Sequence, residues 1–205
     1  MEYQVLKQTL EKNGFKFFDK GNYNLNIIWV RNDLIADNHF TDDLYVAYKE
    51  SGIERVLSIK CTTIPGLKKS LYNPNTVDGV TGTAIIKRGQ YLSSWEFHDT
   101  YEEFSEFPYF RQIKPIDYYR DGDKDNEIDL VQEQDDKIFN THWHKMSNVG
   151  DKRKVEQFEV NNWSQGCMGA PVSEWIKVII LMRESIKHGQ KQIVSGTILD
   201  RKDFN

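Results

Sequence analysis

Apolar residues recur at helical spacing near the start of the chain. Tyr3, Leu6 and Leu10 lie on one stripe of a helix. Gly14 follows this stripe, and glycine is common just past a helix end because it tolerates a positive φ angle. The pattern therefore predicts an N-terminal helix within residues 1–14.

A second helical pattern lies near the end of the chain. Pro171 suits a first helical turn, and Gly189 suits the end of the helix. The apolar residues between them keep helical spacing: Val172, Trp175, Ile176 and Ile179. These features predict a helix that starts near Pro171 and ends before Gly189.

Between the helices, short runs of β-branched and aromatic residues are bounded by Asn, Asp and Gly, which is typical of strands. Strands are predicted at residues 26–30, 44–48, 55–59, 83–86, 116–120 and 193–199, with another that ends near Trp143 and His144. Residues 62–82 are rich in Pro, Gly and Asn, which predicts loops, and the aromatic side chains of residues 95–111 are predicted to pack in the core or in a lid. We therefore predict one mostly-β (α+β) domain over residues 1–205, with flanking helices.

Composition and charge narrow the possible partners. The 205 residues can bury a substantial core, and 39% hydrophobic and 13% aromatic residues fit a packed globular protein. A formal net charge of −4 argues against the clustered basic surface of a nucleic-acid-binding protein. The longest apolar run, residues 178–182, is too short to span a membrane, and residues 1–14 lack the apolar region of a signal peptide. We therefore expect cytoplasmic synthesis without a signal peptide.

The two cysteines, Cys61 and Cys167, are too few for a disulfide framework, and a cytoplasmic origin favours free thiols. Cys167 has the surroundings of a nucleophile. Gly166 offers a backbone N–H to an oxyanion, and Ser164 can hydrogen-bond within the turn or orient a base. The helix expected at Pro171 would direct its N–H groups toward the thiol. The alternative is a buried structural cysteine, since free cysteines are among the most buried residues.

A base for this thiol is available in His142 and His144. Residues i and i+2 of a strand share a face, so the two imidazoles are expected to point the same way. Such a pair could also bind zinc or be purely structural. The other thiols and imidazoles are scattered along the chain, which argues against zinc.

The acidic residues 121–127 are spaced like the start of a calcium-binding loop. However, Asn126 stands where such a loop needs glycine, and Gln132 stands where it needs its final glutamate. A solvated acidic turn is therefore predicted here.

A histidine followed, after a loop, by Ser-x-Gly-Cys resembles the signature of the L,D-transpeptidases. More specifically, the chain resembles phage and prophage proteins in which His-Arg-Ala precedes Trp-Ser-Ala-Gly-Cys-Gln, matched here by residues 144–146 and 163–168. Further counterparts follow the same order: residues 44–46, 62–66, 71–74, 82–86, 89–91 and 119–121. The likeness covers roughly residues 25–180, and Thr63 begins a turn similar to one that borders the cleft in this family.

The resemblance implies an L,D-transpeptidase-like β-sandwich or barrel that carries a cysteine acyl-transferase or peptidase, similar to a phage endolysin. It implies that Cys167 is the nucleophile and His144 its base, with Ser164 and Gly166 completing the catalytic set. Substrate contacts are expected from His142, Trp163, Gln165, Thr63 and Tyr91. The implied partners are peptidoglycan stem peptides, with no cofactor and no metal. Action on the bacterial cell wall, or as part of a virion, follows from the same resemblance.

The chain departs from the family pattern at the cysteine. Gln165 stands where typical L,D-transpeptidases have a second histidine, and Met168 and Gly169 follow the cysteine where an arginine is usual. With water as acceptor, the same acyl-enzyme gives hydrolysis instead of transpeptidation. The departures also keep open a second function class, a non-catalytic virion or wall-binding module that retains the fold.

Overall fold

The computed structural model describes residues 1–34, 38–66, 82–99, 107–121, 128, 130, 132–147, 158–161, 164 and 166–205. These residues form two α-helices, α1 (Tyr3–Lys12) and α2 (Val172–Lys187), and a 3₁₀ turn at Arg201–Phe204. The strands are β1 (Asn26–Arg31), β2 (Asp42–Glu50), β3 (Ile53–Cys61), β4 (Thr83–Ile86), β5 (Gly89–His98), β6 (Tyr109–Gln112), β7 (Ile116–Asp121), β8 (Gln132–Lys137), β9 (His142–Lys145), β10 (Met168–Ala170) and β11 (Ile193–Asp200).

Eight strands form one sheet in the order β10-β9-β6-β5-β11-β1-β2-β3. Its two edges meet just past β3, where the Thr62 N–H donates to the Gly169 carbonyl at 2.8 Å and the Gly169 N–H donates back at 3.1 Å. A Cβ at Gly169 would lie 2.0 Å from the His144 carbonyl oxygen, so this close approach requires glycine. The sheet is thereby nearly closed into a barrel.

The inner face of this sheet packs on a large apolar core. Trp29, Trp95 and Trp143 are fully buried there, and Trp95 stacks on Trp143 with 4.1 Å between ring centroids. The three-stranded sheet β4-β7-β8 and the apolar side of α2 cover the core from the other side. The Trp175 indole of α2 donates to the Pro108 carbonyl at 3.0 Å, which ties the helix to the start of β6.

The outer face of the sheet differs between its two halves. Over β1, β2 and β11, α1 packs Leu6 and Leu10 against apolar side chains that include Ile28 and Val30. Over β5, β6 and β9, the outward side chains are half-buried or exposed, and most are polar or titratable: Glu96, His98, Tyr109, Arg111, His142 and His144. We call these six residues the open face.

The predicted mostly-β architecture with flanking helices is confirmed. The predicted strands correspond to β1, β2, β3, β4, β7, β9 and β11, whereas β5, β6, β8 and β10 were missed. In the aromatic-rich segment, Trp95, Phe97, Phe107 and Phe110 pack in the core, and residues 100–106 lie outside the described residues. Among the described residues, no helix has the length and apolar character needed to cross a membrane.

Candidate active site

The strand β9 carries both histidines of the predicted site. Its side chains alternate, with Trp143 and Lys145 buried and with His142 and His144 half-buried on the outer face. The two imidazoles therefore share a face, as strand alternation predicts. The inward side chains fix the strand, because Trp143 stacks in the core and the Lys145 ammonium lies 4.2 Å from the centroid of the Phe107 ring.

Cys167 immediately precedes β10, which runs parallel to β9. The register pairs Met168 with Trp143, and both side chains are buried in the core. The thiol of Cys167 lies beside the start of β9, next to the backbone N–H of His142 and the side chain of Thr141. Continuing the register by one residue sets Cys167 opposite His142 and diagonal to His144. The Cα atoms of such diagonal neighbours are about 7–8 Å apart.

Two hydrogen bonds hold the turn before Cys167. Ser164 Oγ donates to the Cys167 carbonyl at 2.7 Å, and Thr141 Oγ1 donates to the Gly166 carbonyl at 2.9 Å. Ser164 is fully buried, so it shapes the turn, which is one of its two predicted roles. Gly166 has a φ of +127°, and a Cβ there would lie 2.9 Å from Ala84 Cβ. Glycine is thus required for both conformation and space.

The resting thiol of Cys167 is neutral. Burial raises its pKa above the ordinary value, although the His142 N–H and the Thr141 hydroxyl favour the thiolate. The sequence led us to expect a helix N-terminus beside this cysteine, and that expectation is wrong, because β10 intervenes before α2 begins at Val172. Extended chain advances by about 3.3 Å per residue, so the helix starts on the order of 10 Å or more from Cys167. A helix dipole acts only within its first turn.

Both histidines are held in the neutral form. Burial lowers the pKa of His144. Burial, together with His144, Arg111 and His98, lowers the pKa of His142 to about 4. His144 Nδ1 lies 2.6 Å from the Lys145 carbonyl oxygen, which can only accept a hydrogen bond. Nδ1 therefore carries the proton of His144, and Nε2 is left as the proton acceptor, which is the tautomer that a general base needs.

The open face continues the site across β6 and β5. The register pairs Arg111 with His142, and the Tyr109 ring meets the His142 ring edge-on with 5.0 Å between centroids. Tyr109 also stacks on His98 at 5.0 Å, and Glu96 Oε2 lies 3.1 Å from His98 Nε2. Sequence reasoning missed this face. The alternation of these polar residues with buried aromatic residues was a usable signal for each strand, but not for the register between strands.

Thr63 and Tyr91, which were predicted to contact substrate, are engaged inside the fold. Thr63 is buried, and its hydroxyl donates to Asp42 Oδ2 at 2.6 Å and accepts from Arg31 Nε at 3.1 Å. The half-buried Tyr91 hydroxyl lies 3.0 Å from the Lys87 carbonyl oxygen, a hydrogen bond that holds it. The predicted contact of these two side chains with a substrate stays a prediction.

Trp163 and Gln165, also predicted to contact substrate, lie outside the described residues, as do residues 122–127 of the acidic run. Within the part of the chain that the structure describes, no group of three or more His, Cys, Asp or Glu side chains is arranged to hold a metal ion. Cys61 ends β3 as a buried residue, and both cysteines are free thiols. Of the two, Cys167 is the one beside the histidines.

Comparisons of the chain with protein-family models, with curated proteins and with solved structures found no match. The chemistry of the site is therefore inferred from its own residues. They offer a half-buried neutral thiol, two neutral imidazoles on the same outer face, and a turn fixed by Ser164 and Thr141.

Proposed function

We propose that this protein is a peptidoglycan-active cysteine enzyme of L,D-transpeptidase type. It cleaves or exchanges stem-peptide bonds through an acyl-enzyme on Cys167. The observation that carries this proposal is the parallel pairing of β9 and β10, because it makes the strand with the two histidines the neighbour of the strand that follows Cys167. The tautomer of His144 supports the same proposal, because its Nε2 is the atom left to accept a proton.

The neutral resting state implies that proton transfer accompanies attack. His144 Nε2 takes the thiol proton of Cys167 as the sulfur forms a bond to the peptide carbonyl carbon. When the tetrahedral intermediate collapses, the C–N bond breaks and His144 returns that proton to the leaving amine. Water or a second amine then attacks the thioester, and Cys167 leaves as the thiol. The close approach of His144 to Cys167 that this step needs stays a prediction.

The turn before the cysteine supplies the oxyanion site in this proposal. The N–H groups of Gly166 and Cys167 donate to the developing oxyanion. The Gly166 N–H lies 3.5 Å from Ser164 Oγ, a contact long enough to leave it available to a substrate. The hydrogen bonds from Ser164 and Thr141 hold both groups in place before the substrate arrives.

Digestion of purified peptidoglycan, followed by mass spectrometry of the released fragments, tests the proposal. Cys167→Ala should lower turnover by about 10³-fold or more, since no other group can carry the acyl intermediate. Folding should be preserved, because the change removes one sulfur atom from a half-buried position. Cys61→Ala is the matched control: it removes the buried thiol of β3 and should leave turnover intact.

A Cys167→Ala variant that digests peptidoglycan as fast as the parent would refute the cysteine mechanism. If neither form digests peptidoglycan but both sediment with it, the protein is a binding module. Thiol labelling of the resting protein at neutral pH is a poor substitute, because burial raises the pKa of Cys167. Under this proposal the protein acts on the bacterial cell wall, either as a free lysin or as part of a virion.

A further inference from the structure

Arg111 lies in one cross-strand row with the proposed nucleophile. The register pairs Arg111 of β6 with His142 of β9, and its continuation sets Cys167 on the far side of His142. Neighbouring strands are about 4.8 Å apart, so the Cα atoms of Arg111 and Cys167 are about 10 Å apart across the sheet. A ligand that crosses the strands from Cys167 passes His142 and reaches Arg111.

The Arg111 side chain is exposed and available to a ligand. Among the described residues, no carboxylate lies within ion-pair distance of its guanidinium. Glu96 is its register partner on β5, but the Glu96 carboxylate is turned to His98, with 3.1 Å between Oε2 and Nε2. A planar guanidinium binds a carboxylate through two parallel hydrogen bonds, so an exposed arginine in the same row as the proposed nucleophile is suited to an anionic ligand.

The strand that follows the thiol cannot supply such a cation. Met168 is buried in the core, and a side chain at Gly169 would collide with the His144 carbonyl oxygen at 2.0 Å. Lys145 of β9 points inward, with its ammonium over the Phe107 ring. In the described part of the row, Arg111 is thus the exposed cation.

The spacing selects the position of the anionic group on the ligand. An extended peptide spans about 3.3–3.6 Å per residue, so two residues cover about 7 Å. With its carbonyl carbon at Cys167, a peptide that runs along the row brings a carboxylate two residues away within reach of the Arg111 guanidinium. Carboxylates at the reacting centre itself fall short of this distance.

We propose that Arg111 is a specificity residue that binds a free carboxylate of the acyl donor, about two residues from the attacked carbonyl. This inference rests on the proposed function, because it takes Cys167 as the point of attack. The substrate class is then a stem peptide with this carboxylate free, and a stem peptide in which the same carboxylate is amidated is a poorer substrate.

Binding is measured apart from turnover, by isothermal titration calorimetry on the Cys167→Ala variant. The ligands are synthetic stem tetrapeptides, each with a different one of its carboxyl groups amidated. One amidation should weaken binding by about tenfold or more, since hydrogen bonds to charged groups are worth that much. Adding Arg111→Gln should weaken binding of the unmodified peptide by the same factor. The unmodified peptide and that amidated peptide should then bind with equal affinity. Arg111→Lys should restore part of the selectivity, because lysine keeps the charge but not the planar fork.

Arg55→Gln is the matched control for lost positive charge, since Arg55 is an exposed arginine of β3 in the same sheet. It should bind every peptide as the parent does. If Arg111→Gln also binds every peptide as the parent does, or if the parent binds no peptide, the assignment is wrong. If the parent protein, which retains Cys167, binds the peptides selectively but does not turn them over, the proposed function is wrong and Arg111 is an anion-binding site only. Turnover that Arg111→Gln leaves unchanged in rate and selectivity would overturn the Arg111 assignment alone.

Discussion

The two halves of the outer sheet face use the same strand alternation for opposite purposes. Over β1 and β2, the central outward residues are apolar, and α1 buries them with Leu6 and Leu10. Over β5, β6 and β9, the outward residues are largely charged or titratable, and among the described residues no helix covers them. Both halves share one inner core, so the difference between them lies in the side chains that face outward.

This comparison separates stability from chemistry within one sheet. The half covered by α1 gains its free energy from apolar burial, about 25 cal/mol for each Å² removed from water. The open face gains little in this way, yet it holds three imidazoles and an exposed guanidinium on neighbouring strands. Substitution of a proposed catalytic residue of the open face should therefore alter activity more than stability, and a substitution under α1 should do the reverse.

The largest expected effect is on turnover, from His144→Ala. Loss of the base should lower turnover on peptidoglycan by about 10³-fold or more, with little change in the free energy of unfolding. The double variant with Cys167→Ala should be no slower than either single variant, because the thiol and the imidazole act as a unit. Initial rates of fragment release, compared across the four proteins, measure this coupling.

His98→Ala is the control for His144→Ala on the same face. His98 is also a half-buried imidazole, but it lies two strands from His144 and contacts Tyr109 and Glu96 instead of the thiol. Its replacement should change turnover by less than about tenfold, below the ~10²-fold that a general acid–base group contributes at the least. If His98→Ala were as damaging as His144→Ala, the assignment of the base to His144 would fail.

The next largest effect is on stability, from Leu6→Ala under α1. Leu6 is fully buried, and truncating a buried leucine costs about 2–5 kcal/mol of unfolding free energy. Turnover per folded molecule should not change. Urea unfolding, paired with rates in the absence of urea, tests both statements. Val5→Ala, at an exposed position of the same helix, should cost less than about 0.5 kcal/mol. A loss of turnover in folded Leu6→Ala would show that the two halves are coupled.

Much of the fold could be predicted because local apolar patterns mark it. Strands such as β1 and β2 are rich in β-branched and aromatic residues, and α1 and α2 have helical stripes. The strand β8 lacks any such pattern, because it is polar throughout and pairs with β7. Lys87 holds it through Glu133 and Asp135, at 2.9 and 2.6 Å. These contacts join residues far apart in the chain, so no local window contains them.

The candidate site was predictable to the same extent. Strand alternation alone puts His142 and His144 on one face, and the motif singles out Cys167. Arg111 and Thr141 were missed because their relevance depends on which strands are neighbours, and the order β10-β9-β6 is a property of the whole chain. The expected helix beside the thiol was wrong for a similar reason: β10 forms only because β9 and Thr62 pair with it on its two sides.

The smallest expected effect is the pH dependence of stability that the open face contributes. In the folded protein His142 has a pKa of about 4, because it is buried and faces His144, Arg111 and His98. The unfolded chain protonates this histidine at its ordinary pKa of about 6.5. Between these two values the unfolded state binds more protons, so stability is lost as the pH falls. The expected loss from His142 is about 1–2 kcal/mol, since solvent screens a half-buried imidazole.

His142→Gln isolates this contribution. Urea unfolding of the parent and of His142→Gln, measured at intervals from pH 7 to pH 4, should show a shallower loss of stability in the variant. Part of the dependence should persist, because His144 remains and burial also lowers its pKa. Carboxylate titration below pH 5 affects both proteins alike, so the difference between the two curves is the quantity to compare. Parallel curves would mean that His142 is as solvated in the folded protein as in the unfolded chain.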